Sequence, residues 1–205
     1  LVNRLSSNDE RRQMQELIAY YRVTFATLSG CASRQLEEVV FRRAAVAVDM
    51  LLHHAAEYHA KWCVRFPETP KLTVVSCNAT VLCDEVLVNF LVEQLIDASW
   101  AFSTVDKLSF TAMPDGDFIR IALTNHSRTL SAEYLQTLFY PSQSRIVNAD
   151  GSLQGVEYIV CRQIIREHDD HFNHIGCRIK AELTTDGYSV WFTLPRQMSV
   201  SLNEI

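Results

Sequence analysis

Apolar residues recur at Met14, Leu17, Ile18, Tyr21, Phe25 and Leu28, the three-and-four spacing of one buried helical stripe. Ser7-Asn8-Asp9-Glu10 has the form of a capping box ahead of that run, and Gly30 punctuates its end. A second helical pattern extends from about Ser33 to Val64, with Leu36, Val39, Val40, Ala44, Ala47, Met50, Leu51, Ala55 and Tyr58 on one side and Pro67 and Pro70 beyond it. Two amphipathic helices joined by a short turn predict a helical hairpin over residues 1–68. Paired apolar stripes of this kind call for a second copy, so a homodimer is expected.

After Pro70 the period changes. Leu72 to Val75 reads as a strand, Asp84 to Phe102 as a helix, and Lys107 to Ala112 with Phe118 to Leu123 as a hairpin around Pro114-Asp115-Gly116-Asp117. Ser131 to Leu138 and Gly155 to His168 read as helices, and Arg178 to Leu183 with Ser189 to Leu194 as a last hairpin around Thr185-Asp186-Gly187. The order predicts an α+β architecture: the helical hairpin, then an α/β sandwich over residues 69–205 with helices on one face of a mixed, mostly antiparallel sheet.

Composition narrows the function. Of 205 residues, 48% are hydrophobic and only 6 are Gly, enough to bury a core. Nineteen Lys and Arg against 24 Asp and Glu give a net charge of -5, which disfavours a nucleic-acid partner. The apolar stretches Ala44–Val48 and Val86–Val92 are broken by Asp49, Asn89 and Glu93, too short to span a membrane. Leu1 in place of Met suggests a fragment of a longer protein. Cys31, Cys63, Cys77, Cys83, Cys161 and Cys177 show no zinc-type spacing and read as reduced, mostly buried thiols of a cytoplasmic chain.

Several strings carry a resemblance. Cys83-Asp84 leads into a helix on which Glu93 and Asp97 stand one turn apart, followed by Ala98. A strand then ends in Asn125-His126-Ser127-Arg128-Thr129, and Leu138-Phe139-Tyr140-Pro141 follows a short helix. Gly155-Val156-Glu157-Tyr158 opens the next helix, which ends His168-Asp169-Asp170, and the last strand reads Val190-Trp191-Phe192-Thr193-Leu194-Pro195. In this order they resemble the ATP-binding catalytic domain of sensor histidine kinases, the fold shared with gyrase B and Hsp90-type ATPases, over roughly residues 71 to 195. The hairpin before it stands where those kinases place their dimerisation and phosphotransfer helices.

The resemblance implies ATP and magnesium as cofactors, or neither where the site has decayed. Glu93 would be catalytic, polarising the attacking water. Asp97, in place of the usual Asn, would hold the metal, with Trp100 where a basic residue is usual. Asn125 would accept from adenine in place of Asp. Ser127 and Thr129 replace glycines whose bare backbone approaches the nucleotide. Gly155 survives from the second glycine box, and Glu157 puts a carboxylate where the triphosphate would lie, unless Arg145 and Arg162 offset it.

The first helix, residues 8–29, holds no histidine to accept a phosphoryl group, and His53, His54 and His59 lie late on the second. His53, His54 and His59, and separately His171 with His174, are the metal-ligand candidates. No GxSxG, P-loop or HExxH string occurs. The expectation is a degenerate histidine kinase core that signals through dimer geometry between an upstream sensor and a downstream response regulator or output domain. The alternatives are an active kinase or ATPase retaining Glu93, Asp97 and Asn125, and a plain dimeric interaction module.

Overall fold

The structure is a computed structural model and describes residues 41–65, 70–100, 107–126, 130–140 and 156–197. The first expected helix, Ser127, Thr129, Arg145, Gly155 and Cys31 lie outside the described residues. The chain forms β1 (Ala44–Ala47), α1 (Val48–Arg65), β2 (Lys71–Val75), β3 (Thr80–Cys83), α2 (Glu85–Trp100), β4 (Lys107–Asp115), β5 (Phe118–Asn125), α3 (Ala132–Thr137), α4 (Val156–His171), β6 (Ile179–Leu183) and β7 (Tyr188–Pro195).

Five strands form one sheet in the order β2-β4-β5-β7-β6, with β2 parallel to β4 and every other pair antiparallel. Alternation along each strand sends Leu108, Phe110, Ile119, Ile121, Leu123, Val190, Phe192 and Leu194 to the helical side, where α1, α2 and α4 cover them. This mixed sheet with helices on one face matches the predicted sandwich, and the expected hairpin turn is built on Gly116 at φ 61°.

The helix expected over 33–64 is corrected. Ala44–Ala47 is a strand, pairing antiparallel with Thr80–Cys83 from Ala44↔Cys83 to Ala47↔Thr80. The Val48 N–H donates to the carbonyl of Ala79 at 3.0 Å instead of to a preceding helical turn, and α1 begins there. A run of Ala and Val suits either period, and β3 supplies the partner that selects the extended form. Ala44, Ala47 and Met50, assigned to the apolar stripe, are exposed, whereas Val46, Val48, Leu51, Leu52 and Ala55 enter the same core as the sheet. Among the described cysteines all are unbridged, but only Cys83 and Cys161 are buried and Cys63 is exposed.

Candidate functional site

The start of α2 is fixed by Asp84. Its Oδ1 accepts from the N–H groups of Val86 and Leu87, both at 3.1 Å, and its Oδ2 from that of Arg42 at 2.8 Å. The Asp84 N–H donates to Nε2 of the fully buried His168 at 3.1 Å, while His168 Nδ1 faces the Ile164 carbonyl at 2.8 Å. With Nε2 accepting, Nδ1 carries the proton and the ring is neutral. Burial lowers the His168 pKa below the ordinary imidazole value. This link locks α4 to the head of α2.

Further along α2, Glu93 and Asp97 face α1. Glu93 Oε1 lies 2.9 Å from His54 Nε2, and both oxygens of Asp97 accept from the Tyr58 hydroxyl at 3.1 and 2.9 Å. Asp97 is 8% exposed, and burial pushes its carboxyl up to about 7. Donation from Tyr58 works against that rise, while the nearby negative charges of Glu157 and Glu93 add to it. Glu157, in the first turn of α4, is only 4% exposed. Asn125, at the end of β5, is buried on the helical side opposite Leu108 and Tyr188.

Three of the predicted site residues, Glu93, Asp97 and Glu157, are thus brought together as one mostly buried acidic cluster. The sequence marked His54 only as a metal-ligand candidate and Tyr58 only as a member of the apolar stripe; their four-residue spacing on α1 matches that of Glu93 and Asp97 on α2.

The histidines are dispersed rather than gathered on a metal. His53 pairs with Glu57 at 3.3 Å, His54 with Glu93, and buried His59 with the Pro70 carbonyl at 2.8 Å. His171 stacks on Phe41 at 4.2 Å, and His174 faces Asp170 at 3.3 Å. No group of three His, Cys, Asp or Glu side chains among the described residues is disposed to hold a metal ion.

The Arg162 guanidinium stacks 4.3 Å over the Tyr140 ring. Phe139 packs edge-on against Tyr158 at 6.0 Å, which makes the Leu138-Phe139 string a core anchor. An open groove of about 530 Å³ between α1 and α2 is lined by Asp49, Glu57 and Glu85 among others and shares His54 with the acidic cluster.

Among solved structures, the fold is similar to the catalytic domain of the histidine kinase ThkA, with 14% identity, TM-score 0.59, and 77% of this chain and 99% of that chain covered. The fold is that of a histidine kinase ATP-binding domain. The Acinetobacter baumannii histidine kinase AdeS matches at 12% identity and TM-score 0.59 over 95% of this chain and 87% of that one. ThkA in complex with the response regulator TrrA matches at 14% and 0.62 over 94% of this chain and 53% of that one. No family model and no curated protein matches the sequence.

Among the described residues, the groups around Asp97 supply carboxylates rather than the donors that magnesium ATP would need. A triphosphate needs amide donors and positive charge. Here Glu157 puts a carboxylate in the first turn of α4, the Asp97 oxygens are engaged by Tyr58, and Glu93 is engaged by His54.

Proposed function

We propose that this chain is a degenerate histidine kinase core that signals through the conformation of a homodimer, with little or no binding of ATP. The observation that carries the reading is the burial of Glu157 beside Asp97. A polyphosphate entering there meets carboxylates in a poorly screened interior, where like charges repel strongly. Interlocking Tyr58–Asp97 and His54–Glu93 contacts give those side chains a structural use in place of a catalytic one.

The partners proposed are an upstream sensor domain and a downstream response regulator or output domain, the latter by analogy with the ThkA–TrrA complex. Because β1 and α1 share the core of the sheet, we place the domain boundary just before Ala44. No helix among the described residues is long and apolar enough to cross a membrane, and a cytoplasmic setting is part of the proposal.

The test is the thermal midpoint with and without millimolar magnesium ATP, since a ligand that binds only the folded state at a hundred times its Kd adds about 2.7 kcal/mol. The native chain shows no shift, and Glu157→Gly gains one. A saturable shift in the native chain that Asp97→Ala abolishes overturns the reading in favour of an ATP-binding kinase or ATPase, with Glu93 as its catalytic residue.

A further inference from the structure

A hydrogen-bonded trio lies on the sheet face away from the helices. Ser109 stands on β4 between the core residues Leu108 and Phe110, so its side chain leaves on the outer face. His126 follows the last residue of β5, and its N–H donates to the Lys107 carbonyl at 3.1 Å, which fixes it beside the head of β4. Its Nε2 lies 2.7 Å from Ser109 Oγ, and its Nδ1 lies 2.7 Å from Asp186 Oδ2.

Asp186 sits in the turn between β6 and β7, closed by Thr184 N–H to Gly187 carbonyl at 3.0 Å, with the Thr184 hydroxyl on its other oxygen at 3.3 Å. The His126 bond holds the Asp186 carboxyl below its usual value, so it accepts as a carboxylate. That assigns the ring proton to Nδ1 and leaves Nε2 to accept from serine. Ser109 is half-buried and the His126 side chain is 23% exposed, so a small ligand can reach both.

We propose that Ser109 is a nucleophile, with His126 as its general base and Asp186 as the positioning residue, that takes up an acyl group from small activated carboxylic esters. Order and spacing satisfy the requirements for an activated nucleophile: a base within hydrogen-bond reach and a third group orienting the base. Ser109 Oγ bonds to the ester carbonyl carbon as its proton passes to His126 Nε2. The tetrahedral adduct collapses, the bond to the alcohol oxygen breaks, and the departing alcohol takes the proton from Nε2. Water then attacks the acyl-serine with the same nitrogen as base, releasing the acid and restoring Ser109.

β4 is hydrogen-bonded on both sides, to β2 and β5, so its ladder amides are not free to form an oxyanion hole. Both steps are then slow, and capture is expected to outpace turnover because the alcohol of an activated ester leaves more readily than the Ser109 oxygen does from the acyl-serine. The trio lies on the outer face, whereas Asn125, the chain neighbour of His126, is buried on the helical side.

The experiment treats the full chain with a fluorophosphonate probe, whose P–F bond breaks as serine bonds to phosphorus and fluoride leaves, and maps the label by mass spectrometry. Label is expected on Ser109 and is lost in His126→Gln. Asp186→Asn is expected to lower the limiting labelling rate roughly ten-fold or more with the probe's half-saturating concentration unchanged. An acetyl group from p-nitrophenyl acetate should map to the same residue. Label on another residue, no label, or undiminished labelling in His126→Gln overturns the proposal. Mapping on the unaltered chain decides the nucleophile even where a variant fails to fold.

Discussion

Tyr58 on α1 donates its hydroxyl to both oxygens of Asp97 on α2, and one turn earlier His54 on α1 meets Glu93 on α2; each pair is separated by 39 residues. Equal separations mean that the two helices advance in the same direction in register, so four side chains zip one interface. A position that the resemblance gives to magnesium is occupied here by a phenol. Removing that phenol in Tyr58→Phe leaves a buried carboxyl short of a donor, at a cost of about 1–3 kcal/mol. Urea denaturation checks it. In the Asp97→Asn background the same change is expected to cost less, and equal costs in both backgrounds would mean the bond carries no coupling.

Stability should depend on pH through Asp97, which is surrounded by Tyr58, Trp62, Glu93 and Glu157. In the unfolded chain this carboxyl ionises from its model value of 3.8, whereas the folded protein holds the proton up to about 7. The folded state binds more protons across that window, so stability falls as pH rises from about 4 to about 7 and levels above it. Asp97→Asn is expected to flatten the slope. Urea midpoints across that range measure it, and an unchanged slope in the variant assigns the dependence to other groups.

His168 acts with the opposite sign. Its folded pKa lies below its unfolded value of 6.5, so the stability tied to the neutral ring is complete above 6.5 and is lost as pH falls below it. His168→Gln should remove this acidic-side loss. Nuclear magnetic resonance of the imidazole in the native chain reads the same property directly, with a titration midpoint below 6.5 expected.

Asp84→Ala removes the acceptor for three backbone N–H groups, those of Arg42, Val86 and Leu87. Loss of the cap costs about 0.5–2 kcal/mol, toward the upper end because the Leu87 N–H bond is buried. Asp84→Asn, which keeps one oxygen acceptor, is expected to fall between parent and Ala by thermal midpoint.

Gly116→Ala isolates a backbone effect. Gly116 has φ +61°, and a Cβ added there meets no atom within 4 Å. The expected cost, about 1 kcal/mol, is that of the left-handed conformation alone, and Gly116→Asn should recover part of it. A larger loss by urea denaturation would point to a contact that the turn geometry does not contain.

Local pattern was enough to read most of the sandwich. Alternation in Lys107 to Ala112 and Phe118 to Leu123, with a glycine turn between, needs no distant partner to be visible, and β4 and β5 form there. The short strand Thr80–Cys83 and the strand form of Ala44–Ala47 were not legible, because each is selected by the other across Ala44↔Cys83 and both read locally as featureless apolar runs. Glu93 and Asp97 were visible as a one-turn pair. Their partners were not, since nothing in the spacing of α1 says which helix it will face.

The sequence by itself determined most of the periods, and with them the order of the five strands of the main sheet and of α2, α3 and α4 among them, and the acidic character of the segments around residues 93 and 157. Only the tertiary structure decided what those groups touch. Tyr58 reaches Asp97, Glu157 is buried beside it, and Ser109, His126 and Asp186 meet because β4, β5 and the β6–β7 turn converge at one end of the sheet. Periodicity is set by the geometry of one element, whereas hydrogen-bond partnership is set by strand order and helix packing, which no single segment encodes.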